Sequence, residues 1–239
     1  MKIKTIITAI NLNTIRQFVI LLAVTTLCST VLNAQIFFDG SLETDAPPAA
    51  LGGFPMVPFE VDTRPNGNNI KYPDVPLPAP YNGSLGFTPD LDHLKIPANW
   101  STWSHGYVGS VYFTGWSVNQ MTFTLPPETR AFYFYAQPDA FGFFEITAIG
   151  EAGSRSSVSS GPIPVDGRGG AKYFGFYTDG IAEIDQIVVT AQSGANGFAV
   201  GEFGIFVGNL PGVPLSNRVI YPGILLMICF IVIRFRRNI

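Results

Sequence analysis

Short apolar runs with a period of two recur about every ten residues from Tyr107 onward. In the run Met121–Leu125 the apolar residues fall on one face and the threonines on the other, and in Phe132–Tyr135 phenylalanine alternates with tyrosine. Such alternation is typical of strands with one buried face, so we expect these Phe rings to point inward and the Tyr rings outward. The pattern predicts strands at Val111–Phe113, Met121–Leu125, Ala131–Ala136, Phe143–Ile149, Ser156–Ser159, Tyr173–Tyr177, Glu183–Thr190 and Phe198–Phe206.

The stretch from Asp39 to Ala98 is less regular and is rich in Pro, Gly, Asn and Asp. We expect a first strand at Ile36–Phe38, just before this stretch, and long loops within the stretch that lie over the sheet. No internal repeat and no second core interrupts residues 35–210, so we expect one all-β domain of the sandwich or barrel type.

The chain begins with a basic region at Lys2 and Lys4, followed by the apolar run Phe18–Val24 and by small and polar residues up to Ala34. This order predicts a secretory signal peptide over residues 1–34, with an apolar helix, which the general secretory machinery would recognise. The alternative is a retained membrane helix.

At the other end, Val219–Ile233 carries no charge and is followed by Arg234, Arg236 and Arg237. Fifteen helical residues cover roughly 22 Å, less than the ~30 Å of a bilayer core, so this segment predicts a short transmembrane helix with snorkelling arginines. The arginines would stay on the cytoplasmic side and the domain would lie on the exported side.

All 17 acidic residues lie between Asp39 and Glu202, and seven of the 14 basic residues lie in the same stretch. The central domain therefore carries a net charge of about −10, which argues against nucleic acid as a partner. Cys28 and Cys229 lie in the two terminal apolar segments, so we expect no disulfide inside the folded domain.

The C-terminal residues 211–239 combine a short motif, an apolar stretch and a basic end, and they resemble the sorting signal of exosortase-sorted proteins of the PEP-CTERM type. The motif here consists of Val213, Pro214, Leu215 and Ser216, in place of Pro-Glu-Pro. The resemblance implies that an exosortase-like membrane protease recognises the motif and removes the helix. The alternative is a plain C-terminal membrane anchor.

Part of the central domain also resembles ectodomains of PEP-CTERM-type proteins. The segments that carry this resemblance are residues 132–138, 171–176, 184–190 and 197–205. The resemblance implies a jelly-roll-like antiparallel β-sandwich at the cell surface or in the extracellular matrix, and it brings no active site with it.

Catalytic chemistry has few candidates in the domain. His93 and His105 are the two histidines of the chain, and the domain has no cysteine, so a His/Cys metal site or a Cys nucleophile is excluded. No serine lies in a Gly-x-Ser-x-Gly motif. Asp90 and Asp92 could serve a glycosidase only if their carboxyl groups met across a cleft, and the alternative is a solvated acidic loop. We therefore expect no enzyme, and a hydrolase is the disfavoured hypothesis.

Two binding hypotheses come from the remaining residues. Calcium prefers oxygen ligands, and its candidate ligands are Asp39, Asp185 and Glu202, with Glu43 and Asp45 nearby in sequence; ordinary surface charge is the alternative. Trp100, Trp103 and Trp116 are close in sequence and could stack on sugars if exposed, or pack in a core or loop cover if buried.

The leading hypothesis is a non-enzymatic structural or adhesive protein, exported to the surface or matrix and processed or anchored through its C-terminal tail. The alternative from another class is a carbohydrate-binding module that acts on exopolysaccharide through Trp100, Trp103 and Trp116.

Overall fold

The computed structural model describes residues 35–153, 156–179 and 182–208, and every regular element in these ranges is a β-strand. The strands are β1 (Ile36–Asp39), β2 (Ala50–Leu51), β3 (Phe54–Pro55), β4 (Val57–Pro58), β5 (Lys71–Pro76), β6 (Ser84–Lys95), β7 (Ser110–Phe113), β8 (Gln120–Thr124), β9 (Thr129–Pro138), β10 (Phe143–Ala152), β11 (Ser156–Ser159), β12 (Ile163–Asp166), β13 (Lys172–Thr178), β14 (Gln186–Ala191) and β15 (Phe198–Val207). The all-β class expected from the sequence is confirmed.

Thirteen strands form one antiparallel sheet in the order β1-β13-β9-β15-β7-β6-β8-β14-β10-β11, with β12 on β10, β4 on β15 and β5 on β6. The long strand β6 joins two halves of this sheet, because its residues 86–88 pair with β8 and its residues 92–95 pair with β7. Strand β1 also approaches β11 at the opposite end. The sheet therefore curls back on itself and is nearly closed, in a sandwich-like or barrel-like arrangement.

The predicted signal peptide and transmembrane helix lie outside the described residues. Within residues 35–208, apart from the gaps given above, no helix is long and apolar enough to cross a membrane.

Each of the nine predicted strands has a counterpart, although β14 begins at Gln186 rather than at Glu183. The sequence pattern missed β5, β6 and β12, together with the two-residue strands β2, β3 and β4. In β6 the apolar alternation is broken by Pro89, which lies between the part that pairs with β8 and the part that pairs with β7. Proline is tolerated in such an interruption because its missing N–H is not needed by a ladder.

The inner core is built from aromatic rings around Phe203. Its ring is stacked with Phe132 at a centroid distance of 6.0 Å and with Tyr112 at 5.8 Å, and it meets Phe123 edge-on at 5.7 Å. All four side chains are buried. Aromatic pairs in these geometries add about 0.5–1.5 kcal/mol each to the free energy of burial.

A β-bulge in β15 places Phe203 in this core. Gly201 pairs with Tyr135 and Gly204 pairs with Tyr133, so two residues of β15 lie opposite the single residue between those tyrosines. The first of the two, Glu202, has a φ of 53°, a conformation that non-glycine residues seldom adopt. The extra residue shifts the alternation, so that Phe203 faces the inner rings while Glu202 lies on the opposite face.

The outer face of the sheet is covered, which corrects one expectation. Tyr133 and Tyr135 do lie on the face opposite Phe132 and Phe134, but they are buried rather than exposed. They belong to a second apolar cluster to which the segment after β1 contributes Leu51, Phe54 and Met56. The loops expected to lie over the sheet therefore bury the face that the alternation alone assigned to solvent.

We expect Phe203→Ala to lower the free energy of unfolding by about 3–5 kcal/mol, because it removes the ring at the centre of the inner core and leaves a cavity. Urea denaturation monitored by tryptophan fluorescence would measure the change. Phe143→Ala is the matched control, since Phe143 is 74% exposed and its loss should cost little. Equal effects of the two substitutions would contradict a core organised around Phe203.

Candidate functional site

A surface pocket of about 200 Å³ lies where β5, β6 and the end of β7 meet. Its polar lining includes Asn68, Asn69, Lys71 and Asp92, and its aromatic lining consists of Phe113 and Trp116. Lys71 pairs with Asp92 across β5 and β6, and Asp92 pairs with Phe113 across β6 and β7. Directly paired residues project from the same face of a sheet, so these three form one row at the pocket.

Asp92 is the chemically unusual member of this row. It is only 7% exposed, and its Oδ1 atom is buried without a hydrogen-bond partner among the described residues. Buried polar atoms are nearly always hydrogen-bonded, because leaving one unpaired costs about 1–3 kcal/mol. Asp92 lines the pocket, and its own chain does not use all of its acceptor capacity, so its carboxylate is a candidate acceptor for a donor group of a ligand.

Trp116 forms the aromatic side of the pocket and is 64% exposed. Its ring meets that of Phe113 edge-on, with a centroid distance of 6.4 Å and an interplanar angle of 71°. The turn that carries it is braced, because the Thr114 hydroxyl donates to the Val118 carbonyl at 2.7 Å and the Val118 N–H donates to the Gly115 carbonyl at 3.2 Å. The exposed ring thus sits on an ordered support.

The three tryptophans singled out by sequence do not form one platform. Trp100 is 9% exposed and donates its Nε1 hydrogen to Gln137 Oε1 at 2.9 Å, and Trp103 is half-buried and donates to Glu202 Oε2 at 3.0 Å. Both pack over the outer face of the sheet, which is the packing alternative of the sequence interpretation. Of the three, Trp116 is the only one that is mostly exposed, at 64%.

The segment that precedes the pocket is held by the buried carboxylate of Asp62. Arg64 Nη2 donates to Asp62 Oδ2 at 2.8 Å, Arg64 Nε donates to the same oxygen at 2.9 Å, and the Tyr112 hydroxyl donates to it at 2.8 Å. Burial opposes ionisation of Asp62, but the hydrogen bonds from Arg64 and Tyr112 outweigh it and lower its pKa to about 2. The guanidinium also bonds to Asp74, so this ion pair ties the segment to β5.

His93 fixes the next part of the same segment. Its Nδ1 lies 3.0 Å from the Pro65 carbonyl and its Nε2 lies 3.0 Å from Ser110 Oγ, while its backbone bonds to Gly67 and Ile70. The carbonyl contact requires Nδ1 to donate, which leaves Nε2 to accept from the serine hydroxyl. Burial lowers the pKa of His93.

A serine bonded to a histidine has the order of a nucleophile and its base. Here both Ser110 and His93 are buried, and the third group is a backbone carbonyl rather than a carboxylate. The serine oxygen also accepts from the Asp62 N–H at 3.1 Å. The pair therefore fastens the segment of residues 62–70, which carries Asn68 and Asn69 to the pocket.

A separate polar cluster surrounds Glu202 on the outer face. Glu202 Oε1 lies 2.6 Å from His105 Nε2, and the other carboxylate oxygen accepts from Trp103. Burial raises the pKa of Glu202, and the contacts with His105 and Trp103 partly oppose this rise. His105 in turn lies 3.0 Å from the Thr44 carbonyl through Nδ1, so the cluster ties two covering loops to the sheet.

The calcium candidates lie in separate places. Asp39 Oδ1 accepts from the Ser41 N–H at 2.9 Å, Asp185 accepts from the Gly153 N–H, and Glu202 is engaged as described. Glu43 forms an ion pair with Lys172 at 3.6 Å. Within the described ranges, no three His, Cys, Asp or Glu residues are grouped so that they could hold a metal ion. The calcium site stays a prediction without support from this part of the chain.

The sorting motif of Val213, Pro214, Leu215 and Ser216 and the basic tail of Arg234, Arg236 and Arg237 lie outside the described residues. No family model matches the chain, and no curated protein or solved structure matches it either.

The pocket was missed in the sequence because its residues come from the stretch whose arrangement the pattern did not predict. The sequence singled out Asp92 only together with Asp90, as a carboxylate pair or an acidic loop. Both residues lie on β6 instead, where Asp90 is exposed and Asp92 is buried. The turn sequence Pro65-Asn-Gly67 was the local feature that could be recognised. It predicts a tight turn but does not show that the following residues line a pocket.

We expect Asp62→Asn to lower the free energy of unfolding by about 2 kcal/mol at pH 7, since a fall in pKa from 3.8 to about 2 corresponds to roughly 1.4 kcal/mol per unit. The pKa is depressed in the folded state, so this stabilisation is complete above about pH 4 and is lost as the pH falls through about 2. Urea denaturation of wild type and variant between pH 2 and 7 would measure the difference.

Asp90→Asn is the control for this series, because Asp90 is exposed and no contact is described for its side chain. A difference between wild type and Asp62→Asn that stays the same at pH 2 and pH 7 would contradict the assigned ionisation.

Proposed function

We propose that the chain is a non-enzymatic structural or adhesive protein that is exported to the cell surface or extracellular matrix. The observation that carries the proposal is the order of segments: the packed β-domain stands between an apolar segment preceded by lysines and an apolar segment followed by arginines. This is the order expected of a protein that is exported first and then retained or processed at its C-terminal end.

The domain suits such a role because both faces of its sheet are packed. Aromatic rings fill the inner face of the sheet, and covering loops bury the outer face around Tyr133 and Tyr135. We further propose that the fold is jelly-roll-like, since strands distant in sequence pair across the sheet, as in β1 with β13, β9 with β15 and β8 with β14.

The proposed route starts at the general secretory machinery, which would remove residues 1–34. An exosortase-like membrane protease would then act on the motif Val213–Ser216 and separate the domain from its apolar tail. The resemblance of this tail to PEP-CTERM-type signals supports the second step.

We expect the protein recovered from its native envelope and medium to begin near Gln35 and to end near Leu215. Intact-mass measurement together with N- and C-terminal sequencing would test this. A chain that still extends to Ile239 would contradict sorting and would make the protein a plain membrane-anchored ectodomain.

A carbohydrate-binding module is the second candidate function, and the pocket at Trp116 favours it. An exposed indole beside an unpaired carboxylate is the pairing that sugars suit, because a pyranose has an apolar face for the ring and hydroxyl donors for the oxygen. The candidate differs from the sequence hypothesis in relying on Trp116 without Trp100 and Trp103.

We expect Trp116→Ala to weaken retention on an immobilised neutral polysaccharide by about tenfold, equivalent to about 1.4 kcal/mol of lost ring contact. Affinity electrophoresis through gels that contain β-glucan, galactomannan or xylan would measure it. Phe143→Ala removes another exposed ring outside the pocket and should leave retention unchanged. Binding that survives Trp116→Ala would rule out this pocket as the sugar site.

A further inference from the structure

We propose that the pocket at Trp116 binds one uncharged pyranose unit, with a sugar hydroxyl donating to the Asp92 carboxylate and the sugar ring lying against the indole. This inference rests on the second candidate function, and it adds the class of sugar and the residue that selects it.

Asp92 has acceptor capacity that its own chain does not use. Asp92 lines the pocket and is largely buried, and the described residues offer its Oδ1 atom no hydrogen-bond donor. Carboxylate oxygens accept hydrogen bonds, so the partner that suits Asp92 is a hydroxyl or an N–H group. A hydrogen bond to a charged group contributes about 1.5–3 kcal/mol, which is enough to orient a small ligand.

The two charged residues that line the pocket are of opposite sign. Lys71 lies directly opposite Asp92 in the register of β5 and β6, and both line the pocket. Together they contribute no net charge. A charged sugar would be attracted by one member of this pair and repelled by the other, whereas an uncharged sugar can donate to Asp92 and accept from Lys71 without repulsion.

The uncharged polar lining and the volume of the pocket also suit a sugar. The side chains of Asn68 and Asn69 carry both donors and acceptors, as sugar hydroxyls do. A volume of about 200 Å³ is smaller than the ~300–1,000 Å³ of sites for drug-sized molecules, and it therefore suits a single ring.

Hydrogen bonds and an ion pair hold the walls of the pocket in place. The ion pair of Asp62 with Arg64 and the contacts of His93 with Pro65 fix the segment that carries the two asparagines, and the hydrogen bonds around Thr114 fix the turn that carries Trp116. A pocket whose walls are already ordered loses little conformational entropy when a ligand binds.

The test uses the full-length chain in a detergent without a sugar headgroup. The probes are the methyl glycosides of glucose, galactose and mannose, with glucuronic acid and glucosamine as charged counterparts, and saturation-transfer NMR titrations measure binding. We expect at least one neutral glycoside to bind, and Asp92→Asn to weaken it about tenfold. Asp90→Asn is the matched control and should have no effect.

Monodeoxy analogues of the bound glycoside identify the hydroxyl. Removal of that hydroxyl should weaken binding to the wild type about tenfold and have no further effect in Asp92→Asn, because the two changes remove the same hydrogen bond. Lys71→Met offers a second variant at an exposed position, and it should shift preference toward glucosamine by leaving Asp92 as the only charge of the row.

The outcomes separate the two levels of the hypothesis. Neutral glycosides that bind through Trp116 but are insensitive to Asp92→Asn would overturn the assigned role of Asp92 and leave the carbohydrate-binding candidate standing. A preference of the wild type for glucuronic acid or glucosamine would overturn the uncharged ligand. Failure of every glycoside and polysaccharide to bind would overturn both.

Discussion

The bulge in β15 is the feature on which the rest of the domain depends. By inserting one extra residue opposite β9, it sends Phe203 into the inner core and Glu202 to the outer face. Phe203 then joins the rings of the two halves of the sheet, and Glu202 receives His105 and Trp103 from the covering loops. One backbone irregularity thus connects the aromatic core to the outer cover, which explains why an uncommon φ is tolerated at Glu202.

The outer cover follows from the composition of the central strands. Tyr133 and Tyr135 carry large, mostly apolar rings, and Leu51, Phe54 and Met56 pack over them. Glycine makes the close packing feasible, because a Cβ atom at Gly204 would lie 2.2 Å from the ring of Tyr133. The sheet is consequently buried on both faces at β9, and its outer residues became a second core rather than a wet surface.

The alternation of apolar and polar residues predicted the features that depend on a single strand. Alternation in Met121–Leu125 and Phe132–Tyr135 identified the strands and the direction of their inner rings, because each strand carries that information in its own residues. The sequence of a strand does not show whether another segment covers it, and so the burial of the tyrosines escaped prediction. Strand β6 escaped for a related reason, since Pro89 breaks its pattern where the strand changes partners.

The pocket shows the same limit at the level of a site. Lys71, Asp92 and Phe113 are up to 42 positions apart, and only the register of β5, β6 and β7 sets them in one row. No sequence spacing predicts such a row, whereas a motif within one loop can be recognised from its spacing. A dense hydrogen-bond network surrounds Asp62, whose carboxylate accepts from Arg64 and Tyr112. By contrast, Asp92 has an oxygen to which no described residue donates a hydrogen bond. Because buried polar groups are nearly always hydrogen-bonded, the unsatisfied acceptor of Asp92, a residue that lines a pocket, is the observation on which the proposed sugar contact rests.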